Sequence, residues 1–136
     1  MSIKKFLEKK IQLSFYKRDI EDIKILIGRQ LSNQNQDRTK SIINDIHQAE
    51  FKVFSQWGDD GIIQFLVNYL DIPNKFFIEF GVENYKEANT RFLMMNNNWS
   101  GLIMDGSKKN IQFIKSMKWY HYYDLIALPE FITCEN

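Results

Sequence analysis

What this chain lacks narrows it before any motif is read. Its 136 residues hold a single cysteine, Cys134, close to the end. One thiol excludes an internal disulfide framework and fits a reducing compartment. The formal charge is +1, so no global field favours nucleic acid or a membrane surface, and neither is expected as a partner. No apolar run approaches the length that spans a bilayer. Lysines open the chain (Lys4, Lys5, Lys9, Lys10), but charged residues interrupt the apolar positions behind them, which argues against a signal peptide. A soluble cytoplasmic protein is the expectation. Glycine is also missing where a dinucleotide site needs it. Of a G-x-G-x-x-G pattern only Gly81 is present, and Glu83 stands at the second glycine position.

What is present is a length suited to one domain, small for a complete α/β enzyme, and an aromatic content of 15% that favours a packed fold over disorder. The organising stretch is Phe76-Phe77-Ile78-Glu79-Phe80-Gly81-Val82-Glu83-Asn84. Its apolar residues leave neither face polar, which predicts a strand buried on both faces in a parallel sheet. Glu79 interrupts the run, and a carboxylate there is costly unless it is paired or hydrogen-bonded. Gly81 falls where strand must turn to helix and where a ligand can touch backbone. A second strand with an acid at its end follows, Gly101-Leu102-Ile103-Met104-Asp105-Gly106. Strand, turn, helix, strand and acid is the layout of a nucleotide-type pocket at the carboxyl ends of parallel strands.

Ahead of this, residues 2 to about 31 read as one or two helices, with Ile3, Phe6, Leu7 and Ile11 on one stripe and Ile20, Ile23, Leu26, Ile27 and Leu31 on another. They serve either as a dimerising surface or as packing on the chain's own domain. Ser32 to Lys40 is polar and reads as a loop, with a short helix over Ser41 to Gln48. Asp59 and Asp60 sit where a helix start favours acids, and Pro73 ends the helix they open. Lys86 to Met95 and residues 108 to 118 read as helices, the latter capped by Ser107. Tyr122 to Ala127 reads as a third strand, closed by Pro129 before a further helix. The β-α-β-α-β sequence predicts adjacent parallel strands in the order 3-2-1.

The pocket chemistry favours a ligand without phosphate. Glu79 and Glu83 near the turn repel a pyrophosphate and attract positive charge, which the sulfonium and ammonium groups of S-adenosylmethionine supply. Asp105 would then accept hydrogen bonds from the two ribose hydroxyls.

Four segments in order, Ser55-Gln56-Trp57-Gly58-Asp59-Asp60-Gly61-Ile62-Ile63, Phe77-Ile78-Glu79-Phe80-Gly81-Val82, Asn89-Thr90-Arg91 and Trp99-Ser100-Gly101-Leu102-Ile103-Met104-Asp105-Gly106-Ser107, resemble the front half of class I S-adenosylmethionine-dependent methyltransferases, most closely the FkbM-like group. The resemblance covers roughly residues 50 to 136. It implies a three-layer Rossmann-like fold, present as its N-terminal half over 49–136 behind a helical region over 1–48. It also implies S-adenosylmethionine as cofactor, O-methylation of a small-molecule or saccharide acceptor, and no metal. The cofactor-binding residues so implied are Gln56, Glu79, Gly81, Glu83, Asn84, Asp105, Gly106 and Ser107. No catalytic base stands out, since His47 and His121 are isolated. The family's fourth strand lies beyond the residues present. The first strand should therefore show a bare apolar edge, and the chain reads as a fragment prone to self-association.

Overall fold

The structure is a computed structural model and describes residues 2–135. Helix α1 (Ile3–Asp37) is followed by α2 (Thr39–Asn44), a 3-10 turn over Ile46–Ala49 and α3 (Asp59–Tyr69). Strand β1 (Phe76–Phe80), α4 (Arg91–Asn97), β2 (Ser100–Met104), α5 (Lys108–Ser116) and β3 (Leu125–Leu128) complete the order. The strands form one parallel sheet in the order β1-β2-β3, as the alternation of elements predicts. The chain is thus a mixed α/β structure, and no helix among the described residues is long and apolar enough to cross a membrane.

Register decides which side chains meet. Phe77 pairs with Gly101, and Gly101 with Leu125, so these lie on one face together with Glu79, Ile103 and Ala127. Gly101 has a packing reason: a Cβ there would lie 2.2 Å from the Phe77 ring. Leu93 and Met94 of α4, Trp99, and Ile111 and Ile114 of α5 cover this face. Each such side chain, fully buried, contributes on the order of 1.5–3 kcal/mol.

The other face differs from the expectation. Phe76, Ile78 and Phe80 are 40–62% exposed, and Ile126 and Leu128 are also open. Among the described residues the sheet carries helices on one face only, so the expected three-layer arrangement and the doubly buried strand are not what these residues form. The apolar run in β1 reported hydrophobicity correctly, but hydrophobicity alone does not place a covering element.

The N-terminal helix is also longer than expected. Ser32 to Asp37, read as loop, is its last part. Two of the polar residues there, Ser32 and Asn35, face the body: Asn35 Nδ2 donates to the Ala49 carbonyl at 2.8 Å, and Asn68 Nδ2 donates to Ser32 Oγ at 3.4 Å. Gly28 lets the helix approach closely, since a Cβ would lie 2.5 Å from Val53 and 2.9 Å from Phe92. Ile25 and Leu31 pack there against Phe51, Val53, Phe54 and Phe92.

Two later boundaries shift as well. The helix expected from Lys86 begins only at Arg91: residues 86–90 stay in the loop, where the Glu79 carboxylate takes the N–H groups of Asn89 and Thr90. The strand expected from Tyr122 begins at Leu125, after a 3-10 turn over Lys118–Tyr122. Beyond Pro129 no helix forms among the described residues.

Candidate functional site

The site is organised by the loop that leaves β1. Gly81 sits at φ +71° with nothing within 4 Å of where a Cβ would be, so its backbone borders open space. Its N–H still donates to the Met104 carbonyl at 2.9 Å, which keeps it in register with the end of β2. Glu83 (φ 48°) and Tyr85 (φ 59°) are left-handed without being glycine, a backbone cost on the order of 1–3 kcal/mol each. Surrounding bonds hold them. The Glu83 N–H donates to Asp105 Oδ2 at 2.8 Å, and the buried Tyr85 hydroxyl shares a 2.8 Å hydrogen bond with Thr90 Oγ1. Burial raises the Tyr85 phenol well above its ordinary range, so it stays neutral.

Glu79 resolves the problem its sequence position raised. Its carboxylate accepts the N–H of Asn89 at 2.9 Å, the N–H of Thr90 at 3.1 Å and the Thr90 hydroxyl at 2.5 Å. The charge is therefore held in place and also fixes the far end of the loop. Asn89 and Thr90 contribute through backbone and hydroxyl groups.

Asp105 follows β2. Its Oδ1 accepts the Ser107 N–H at 2.9 Å and Asn110 Nδ2 at 3.0 Å, while Oδ2 accepts the Glu83 N–H. Partial burial pushes its pKa up, but these donors outweigh that and hold it below the ordinary 3.8. With roughly four lone-pair sites on a carboxylate, about one remains for a ligand hydroxyl. That is fewer than the two expected for a ribose.

A cavity of about 300 Å³ opens beside this loop, lined by Gln56, Glu79, Phe80, Gly81, Glu83, Glu87, Ala88 and Asn89. Every ionisable residue on its wall is an acid. Four of the sequence-derived residues, Gln56, Glu79, Gly81 and Glu83, are brought together here. Glu87 was missed, since nothing in its local pattern distinguishes it from an exposed loop acid. Asp105 adjoins the cavity through Glu83 without lining it. Asn84 faces elsewhere: its side chain accepts the Lys86 N–H at 3.1 Å, and it lines a second cavity of about 430 Å³ between α1 and the Lys118–Tyr122 turn. Gly106 is closed by packing, since a Cβ there would lie 2.1 Å from the Phe131 ring. Ser107 caps α5, its Oγ accepting the Asn110 N–H at 3.3 Å.

Arg91, in the same motif as Asn89 and Thr90, is 3% exposed and does not line this cavity. Its guanidinium lies 4.1 Å from the Phe54 ring centroid and 5.4 Å from that of Trp119, and pairs with Glu21 of α1 at 3.1 Å. It ties α1 to the body. The Ser55–Gly61 segment is likewise mainly structural. Asp60 Oδ2 accepts the N–H groups of Val53, Phe54 and Ser55, each at 2.7 Å, and the Ser55 hydroxyl at 2.8 Å. Gly61 is required by contact, as a Cβ would lie 2.1 Å from the Ala49 carbonyl. The exposed Trp57 and Gln56 remain free to meet a ligand. His47 pairs with Glu50 at 2.5 Å, and neither His47 nor His121 lines this cavity.

Comparison with family models, curated proteins and solved structures finds no match for this chain. The methyltransferase resemblance therefore rests on the four sequence motifs alone.

Proposed function

We propose that the chain is a Rossmann-like S-adenosylmethionine-dependent methyltransferase unit, binding the cofactor where β1 and β2 end and serving a saccharide or small-molecule acceptor. The observation that carries this is the sign of the cavity. Glu79, Glu83 and Glu87 surround the open backbone of Gly81 with no cation on the wall. Such a wall attracts a sulfonium and an ammonium and repels a pyrophosphate. The Glu83 N–H, which a phosphate would need, is already engaged by Asp105.

The donor set fits the cofactor with one adjustment, that Asp105 meets a single ribose hydroxyl and the acids on the cavity wall meet the rest. When bound, S-adenosylmethionine supplies an activated methyl for in-line displacement, which needs alignment more than acid or base strength. In this reading Glu79 is a fixed negative charge, Gly81 gives backbone access, Glu83 and Glu87 orient the cationic end, and Gln56 and Trp57 shield it from water. A general base is left to the acceptor side.

Titration calorimetry with S-adenosylhomocysteine tests this. Binding is expected, and Asp105→Ala should weaken it by about 1–3 kcal/mol, roughly 5- to 150-fold. Preferential binding of NAD would overturn the reading, and binding indifferent to Asp105→Ala would remove that residue from the site.

A second reading, a non-catalytic interaction module, is favoured by the open apolar residues on the sheet and along α1. A chain that binds neither adenosyl compounds nor dinucleotides would support it.

A further inference from the structure

Independently of how the cavity is read, we propose that two copies of this chain pair through a parallel coiled coil formed by the outer face of α1. The helix is 35 residues long, about 52 Å at the ordinary rise. From Ser2 to Ile20 every residue is exposed, although Ser14, Lys17 and Arg18 border the body across the second cavity. Helices in proteins draw most of their stability from packing an apolar face, and the exposed apolar residues of this half point to a partner as that source.

The pattern on the helix says what that partner is. Phe6, Leu13, Ile20 and Ile27 recur at steps of seven, and Tyr16 and Ile23 follow two of them at a step of three. This is the a/d spacing of a two-helix seam, and a copy of the same helix presents the matching holes. The six side chains are 44–58% exposed. The body lies to one side of the seam, at Lys24, Ile25, Gly28, Leu31, Ser32 and Asn35, which are buried or half-buried. The seam continues into the docked half at Ile20, Ile23 and Ile27, which are exposed, and ends at Gln30. At on the order of 100 Å² per side chain, two copies bury about 1,200 Å², within the range of specific interfaces.

Charge selects the orientation. Lys10, Lys17 and Lys24 flank the seam on one side, and Lys5, Gln12, Asp19 and Leu26 on the other. In an antiparallel pair the lysine row faces its own copy. In a parallel pair it faces the mixed row, which gives Asp19–Lys24 and Gln12–Lys17 neighbours, against a Lys5–Lys10 repulsion and a Lys9–Lys9 contact at the d position in the first turns.

Sedimentation velocity on the full chain at micromolar concentration tests the proposal. A species of about twice 16.3 kDa is expected. Ile20→Glu/Ile23→Glu should weaken association by about 100-fold or more, since two charges per helix enter the seam. Both positions are exposed and off the body, so the thermal transition of the variant should persist and exclude misfolding as the cause. Ile11→Glu, on another side of α1, should leave the dimer intact. Leu13→Cys in a Cys134→Ser background should oxidise to a linked dimer. A wild-type monomer overturns the proposal. So does association that survives Ile20→Glu/Ile23→Glu, which would assign the interface to the open face of the sheet, and so does a dimer that Leu13→Cys cannot link.

Discussion

Asp60 and Asp105 are both aspartates gathered by backbone N–H groups beside a helix start, yet the molecule treats them oppositely. Asp60 is 1% exposed, with three N–H groups and a hydroxyl converging on one oxygen. Asp105 lies partly open at the end of β2, with three donors shared between its two oxygens and acceptor capacity left over. The same chemical group is thus sealed into a brace in one loop and presented near a cavity in the other. What separates them is the packing around the carboxylate, with Phe51, Val53 and Phe54 closing over the first loop while Gly81 leaves the second open.

The contrast can be broken most forcefully at Asp60. Asp60→Ala leaves three buried N–H groups without an acceptor, and should cost at least about 3 kcal/mol, read as a large fall in Tm. A loss below 1 kcal/mol would mean the brace is replaceable. Next comes Glu79→Ala, which releases Asn89 and Thr90; about 1–3 kcal/mol of stability should go, together with affinity for a cationic ligand. Glu79→Gln should recover part of the stability and little of the affinity.

Asp105 is expected to matter less to folding. Its lowered pKa means that its contribution is present above the ordinary carboxylate value of 3.8 and disappears as pH falls through the lowered value. Asp105→Asn should therefore reduce neutral-pH stability by about 1 kcal/mol or less, because water screens a partly open group. Denaturation curves of the two proteins should converge below pH 3.8. Glu87→Gln sharpens the comparison at its small end. It should shift stability by no more than about 0.5 kcal/mol, while measurably weakening any adenosyl ligand in titration. An effect on folding but none on binding would assign Glu87 to the loop.

Reading the sequence located the elements better than their partners. Phe76–Phe80, the helix opening at Asp59 and the α5 cap at Ser107 were all legible from local pattern. Arg91 was not: a guanidinium next to Asn89 and Thr90 looks like a pocket residue until Phe54, Trp119 and Glu21 are known to surround it. The stretch from Ser32 to Asp37 looked like loop because Ser32 and Asn35 find their partners only across the fold.

Local order and the sign of the charge near Gly81 follow from the sequence alone, because strand periodicity, turn chemistry and ionisable side chains are properties of neighbouring residues. Which face of the sheet is covered, which acid is sealed and which cation is buried were decided by tertiary structure. Those outcomes depend on the desolvation of each group by residues distant in the chain, and neighbouring residues do not encode it.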